Sequence, residues 1–87
     1  MEIVHNERER AFETVIDGAR SHLDYDLAER DGKRQIVFTH TFVAPEHRGK
    51  GVAAALVEAG LDFARETGRE IVPACSYVAQ YLERHPQ

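Results

Sequence analysis

Apolar and polar residues alternate with a period of two through the first half of the chain, and the period becomes helical in the second half. Leu23, Tyr25 and Leu27 alternate with His22, Asp24, Asp26 and Ala28, so a strand there carries its apolar set on one sheet face. Phe12, Thr14 and Ile16 alternate in the same way with Glu13, Val15 and Asp17, and Gly18 stands where a turn would follow. Asp31-Gly32 predicts a second turn, into a strand over residues 34–43 that is rich in β-branched and aromatic side chains. A further strand is expected at residues 2–6. The strand over 34–43 is the longest and most apolar of the four, which predicts a central place for it in the sheet. Beyond Gly51, residues Val52, Leu56, Ala59 and Phe63 recur at helical spacing, with Glu58, Asp62, Arg65 and Glu66 off that stripe. Gly68 is the expected helix stop. Residues 70–75 read as a short strand that a β–α–β crossover makes parallel to the strand over 34–43. Ser76 is the expected cap of a last helix that gathers Val78, Tyr81 and Leu82 on one face.

Length and composition narrow what such a chain can be. With 87 residues, residues 1–87 are expected to form a single domain, because too little chain remains after one core to build a second. The hydrophobic share of 43% supports one core, and no apolar run approaches the roughly 20 residues needed to cross a bilayer. The polar start, Met1-Glu2-Ile3-Val4-His5-Asn6, is unlike a secretion signal, and a cytoplasmic address is expected. A formal net charge of −4 argues against nucleic-acid binding and means that any anion must be met locally. One cysteine, Cys75, excludes an internal disulfide, and the five histidines show no short ligand spacing, so no metal is expected. Oligomeric state leaves little trace in a sequence; a monomer or weak homodimer is expected.

The segment with chemical content is Val43-Ala44-Pro45-Glu46-His47-Arg48-Gly49-Lys50-Gly51-Val52-Ala53, where a strand stops at proline, passes two glycines and opens a helix. A helix start leaves backbone N–H groups unpaired and carries a partial positive charge, so phosphate oxygens bind well there. Gly49 and Gly51 have no Cβ to hold an anion off, while His47, Arg48 and Lys50 supply donors and positive charge within an acidic chain. Any strand-to-helix loop can contain glycines and basic residues, so the arrangement by itself is compatible with an ordinary connection.

The run Arg48-Gly49-Lys50-Gly51-Val52-Ala53 resembles the pyrophosphate motif Gln/Arg-x-x-Gly-x-Gly/Ala of the GCN5-related N-acetyltransferase (GNAT) superfamily, with Val43-Ala44-Pro45 as the customary Val-x-Pro before it. Cys75-Ser76-Tyr77-Val78, Tyr81-Leu82, His85-Pro86 and His40 further resemble the small Yjdj-type branch of that superfamily. The resemblance covers nearly the whole chain. It implies a minimal α/β GNAT fold, with a splayed pair of parallel strands, a bulge in the first of them, and two helices. It implies acetyl-coenzyme A as acetyl donor and an amine, of unidentified kind, as acceptor. By the same resemblance, Thr41, Phe42 and Val43 would pair with the pantetheine arm, residues 48–53 would seat the pyrophosphate, and Tyr77 and Tyr81 would stack on the donor. The two helices that larger relatives place between their first strands have no counterpart here, which implies an open acceptor groove.

The ending departs from the superfamily pattern, because Leu82 stands in the place of the usual catalytic tyrosine. His40 is a candidate base, nominally on one face with Ile36, Phe38 and Phe42, where it would equally suit a half-buried structural role. Cys75 precedes a helix, a position that favours thiolate, although a lone cysteine is more often a small core residue. Tyr77 and Tyr81 suit packing or stacking better than acid catalysis. Direct attack by the amine and transfer through an acetylated Cys75 both fit. So does a coenzyme A-binding module that acts with a partner protein and has no catalysis of its own.

Overall fold

A computed structural model describes all residues, 1–87. Five strands, β1 (Val4–Asn6), β2 (Ala11–Ile16), β3 (Ala19–Arg30), β4 (Lys33–Phe42) and β5 (Glu70–Pro73), form one sheet in the order β1-β2-β3-β4-β5. The first four are antiparallel neighbours, and β5 pairs with β4 in parallel. Helix α1 (Val52–Glu66) makes the crossover between β4 and β5, and α2 (Ser76–Arg84) closes the chain. This is the minimal α/β arrangement that the sequence predicts.

The two hairpins follow from their turns. Asp17 and Gly18 have φ of 51° and 80°, and Asp31 and Gly32 have φ of 54° and 80°, the paired left-handed conformations that match strand twist in two-residue loops. Their strands therefore leave in register, Ile16 opposite Ala19 and Arg30 opposite Lys33. One face of the sheet then carries Phe12, Leu23, Tyr25, Ile36 and Phe38, and these join Val52, Leu56, Val57, Leu61 and Ala64 of α1 and Val78 of α2 in the core. Both helices cover this one face, and the other is left open.

Several expectations need correction. The longest strand is β3, with 12 residues, and it holds the middle of the order; β4 has 10 and lies between β3 and β5. The buried stripe of α1 is rotated from the expected one: Val57, Gly60, Leu61 and Ala64 are buried, while Ala59 and Phe63 are half-buried. Gly60 is the reason. A Cβ there would lie 2.8 Å from the Phe38 ring, so the helix packs its bare backbone on β4 at that point. Gly68 (φ 64°) follows the cap residue Thr67, and the N–H of Arg69 reaches the Ala64 carbonyl while that of Gly68 reaches Arg65, a Schellman ending. Strand β5 stops at Pro73 rather than at residue 75, because proline has no N–H for the ladder and Ala74 turns its N–H back to the Val72 carbonyl. The cap of α2 is accordingly Cys75, with Ser76 as the first helical residue.

Candidate active site

Pairing between β4 and β5 ends at Phe38 opposite Pro73. Beyond it the strands part, and the β5-facing edge of β4 has no strand partner. An irregularity in the β3–β4 ladder falls at the same level: Tyr25 pairs with Phe38 and Asp24 with His40, which leaves Thr39 as an extra residue in β4. The bulge reverses the side-chain alternation. Thr41, opposite Leu23, now faces the helices, whereas His40, opposite Asp24, and Phe42, opposite His22, face the open side. The expected grouping of His40 with Ile36 and Phe38 is thus overturned, and His40 is exposed.

A cleft of about 460 Å³ occupies the gap. Thr41, Phe42 and Val43 form one wall, Tyr77 of α2 another, and its end is closed by His47, Arg48, Gly49 and residues 51–54. The end wall is tied down from behind. The buried Ser21 hydroxyl accepts the Ala44 N–H at 2.9 Å, and the buried His47 ring donates Nε2–H to the Ile16 carbonyl at 3.0 Å. His47 is therefore an anchor whose Nε2 proton is already committed, unlike the free donor that its position in the sequence suggests. Arg48 folds back to donate Nε–H to the Val43 carbonyl at 3.1 Å, which fixes the guanidinium at the mouth of the cleft. Lys50 is exposed and outside the lining.

Gly49 (φ 77°) and Gly51 (φ 79°) are both left-handed, and Gly51 caps α1 with no side-chain hydrogen bond. A Cβ at either glycine would meet nothing in the chain, so what they keep clear is the space in front of the loop. None of the backbone N–H groups of residues 49–54 donates a hydrogen bond; the first that does is Ala55, to the Gly51 carbonyl. A run of unpaired donors at a helix start is a seat for an anion.

Across the gap, Cys75 Sγ lies 3.2 Å from Thr41 Oγ1. Partial burial acts to raise the thiol pKa. The Thr41 hydroxyl and the backbone N–H groups of Val78, Tyr77 and Thr41 outweigh it, and the pKa is lowered. Those N–H groups do not reach the sulfur with capping geometry, yet their direction favours thiolate. Because Thr41 points to Cys75 and His40 to the open side, the two candidate catalytic residues lie on opposite faces of β4 and are not brought together. Tyr81 lines a smaller groove of about 130 Å³ that shares Ala54 and Tyr77 with the cleft. Burial first, and then the Glu58 carboxylate, raise the Tyr81 phenol pKa and keep it protonated.

A family model described as GCN5-related N-acetyl-transferase matches residues 11–87. The chain belongs to this family. GNAT architecture is also found in a solved structure, the ribosomal-protein-alanine N-acetyltransferase of Brucella melitensis biovar Abortus 2308, with a TM-score of 0.62 and 28% identity. That likeness covers 71% of this chain and 48% of the other, so this chain spans about half of that protein. Among curated relatives, protein NATD1 of Homo sapiens is 32% identical over 84 residues, which is 97% of this chain and 74% of the human protein. NATD1 of Gallus gallus is 30% identical over 86 residues, 99% of this chain and 77% of that protein. Family membership supports acetyl transfer as the general activity, and it directs attention to the cleft between the parting strands.

Proposed function

We propose that this chain binds acetyl-coenzyme A in the cleft between β4 and β5 and moves its acetyl group to an amine. The observation that carries the reading is the unbroken run of unpaired N–H groups over 49–54, held open by two left-handed glycines at the end of a cleft in a GNAT sheet. The pyrophosphate fits that run, with the Arg48 guanidinium beside it. Pantetheine fits the gap, where the unpartnered edge of β4 at residues 41–43 offers main-chain partners. Tyr77 and Tyr81, on the adjoining groove, suit the nucleoside end of the donor. Transfer joins the amine nitrogen to the acetyl carbon as the carbon–sulfur bond breaks, and main-chain N–H groups of the parted strand would stabilise the oxyanion.

A specific observation favours a second route through Cys75. Its sulfur is in contact with the hydroxyl of Thr41, which lines the cleft, and its pKa is lowered, so it could take the acetyl group before the amine does. A coenzyme A-binding module without catalysis is the reading left if binding occurs without transfer.

Release of free thiol from acetyl-coenzyme A in the presence of primary amines tests the proposal. Wild-type protein is expected to release thiol only when amine is added, and Gly51→Glu is expected to abolish both release and donor binding. The variant sets a carboxylate where the pyrophosphate would sit. Thiol release that does not depend on amine would overturn transfer to an amine, and full activity in folded Gly51→Glu would remove the loop from the account.

A further inference from the structure

The face of the sheet that the helices leave open carries a second group of titratable side chains. His22 and Asp24 project from the same side of β3, and His22 Nδ1 lies 2.8 Å from Asp24 Oδ1. The pair is partly shielded, with side-chain exposures of 18% and 35%. On the neighbouring β4, the bulge at Thr39 delivers His40 and Phe42 to this same side, in register with Asp24 and His22. The His22 ring centroid is 6.0 Å from that of His40 and 5.5 Å from that of Phe42. Phe42 also lines the donor cleft. His22 thus lies one strand from the gap in which the acetyl group would lie, opposite a residue that lines it.

An imidazole that donates Nδ1–H to a carboxylate is held in one tautomer, with the Nε2 lone pair free to accept a proton, and the carboxylate stabilises the imidazolium that results. His22 Nε2 makes no hydrogen bond within the chain, and neither does the His40 ring. Of the two rings, only His22 has an orienting partner. We infer that the open face is the acceptor's side of the sheet and that His22, oriented by Asp24, takes the proton of a primary ammonium acceptor, with His40 and Phe42 flanking its approach. This rests on the acetyl-transfer reading above. One ammonium proton passes to His22 Nε2 and on to solvent. The second, lost as the nitrogen–carbon bond forms, ends on the coenzyme A sulfur as the carbon–sulfur bond breaks. The other titratable groups facing His22 are Glu13 on β2, which is held by Arg20, and His40 on β4. Asp24 is the positioning residue of the pair.

The experiment measures thiol release from acetyl-coenzyme A across pH with n-butylamine, a minimal primary amine, for wild type, His22→Gln, Asp24→Asn and His40→Gln. Calorimetric donor binding is measured in parallel, and it also reports folding. His22→Gln should bind the donor as wild type does, lose roughly 10²-fold in turnover, and lose the acidic limb of the pH profile. Asp24→Asn should show a smaller loss, and nitrogen NMR of His22 should change from one tautomer to a mixture, which a merely structural role would not produce. If His22→Gln keeps wild-type turnover and its acidic limb, or if only His40→Gln removes that limb, the inference is overturned while acetyl transfer stands. If wild type binds the donor and releases no thiol with the amine, acetyl transfer itself falls and the inference with it.

Discussion

At the scale of single residues, position decides what each candidate can do. Arg48, His47 and Ser21 are three polar side chains around one loop, and each is spent on holding backbone: Arg48 on the Val43 carbonyl, His47 on the Ile16 carbonyl, Ser21 on the Ala44 N–H. The donors left for a ligand are the main-chain ones and the terminal nitrogens of Arg48. Cys75 has the opposite character: partial burial acts to raise its thiol pKa, but the Thr41 hydroxyl and nearby backbone N–H groups outweigh it and favour thiolate. Incubation with acetyl-coenzyme A without amine, an acid quench and intact mass measurement should show partial addition of one acetyl group, absent from Cys75→Ala. Partial labelling is expected because exchange between two thioesters has almost no driving force. If Cys75→Ala keeps full amine-dependent turnover, direct attack is the mechanism and the sulfur only lines the gap. The loop and Cys75 were legible in the sequence because glycine spacing and the order of elements are local features. The His22–Asp24 pair is harder to read, because a His-x-Asp spacing on the clearest strand is its only signal. Its meaning depends on which face the helices leave open, and that is a tertiary fact.

At the scale of elements, the bulge at Thr39 has the largest effect on the site. Alternation along the strand over 34–43 puts His40 with Ile36 and Phe38, and one extra residue reverses this, so that Thr41 meets Cys75 and His40 meets the open face. Deletion of Thr39 removes only the extra residue, so His40 should still pair with Asp24, Thr41 with Leu23 and Phe42 with His22. Cross-strand nuclear Overhauser contacts between these pairs should match those of wild type. A deletion variant in which His40 contacts Leu23 instead would mean that the register with β3 does not set the facing of β4. Alternation alone could not show the bulge, because an extra residue is defined by its partner strand. The rotated face of α1 escaped for a related reason. Gly60 looks neutral in a hydrophobic pattern, and only the Phe38 ring against it explains why the helix turns that way.

Across the whole molecule, a single core lies between one sheet face and two helices, and the site is built at its border, where β4 and β5 part. The far end of the core contains a pH-sensitive group. His5 stacks on Phe12 at 4.2 Å between centroids, and its Nε2 lies 2.5 Å from the Tyr25 hydroxyl. Burial lowers its pKa below the ordinary 6.5, against a smaller opposing pull from Glu7. The unfolded chain then binds the proton more readily than the folded one. This contribution to stability is complete above pH 6.5 and declines as pH falls from there through the lower folded value. Denaturation midpoints should therefore drop between about pH 7.5 and about pH 5.5, and His5→Phe should flatten that slope. An unchanged slope in the variant would assign it to other groups. Glu13, whose pKa is lowered chiefly by its hydrogen bond to Arg20, acts separately, at acidities below about 4.5.

The central claim is that the unpaired N–H groups of residues 49–54 hold the phosphates of acetyl-coenzyme A. Amide nitrogen–proton NMR spectra recorded during titration with acetyl-coenzyme A read those groups individually. The account predicts that the amides of 49–54 shift most and move downfield as they gain phosphate partners, together with residues 41–43 along the cleft. Binding that leaves 49–54 unmoved, or saturating donor that perturbs no amide, would contradict it.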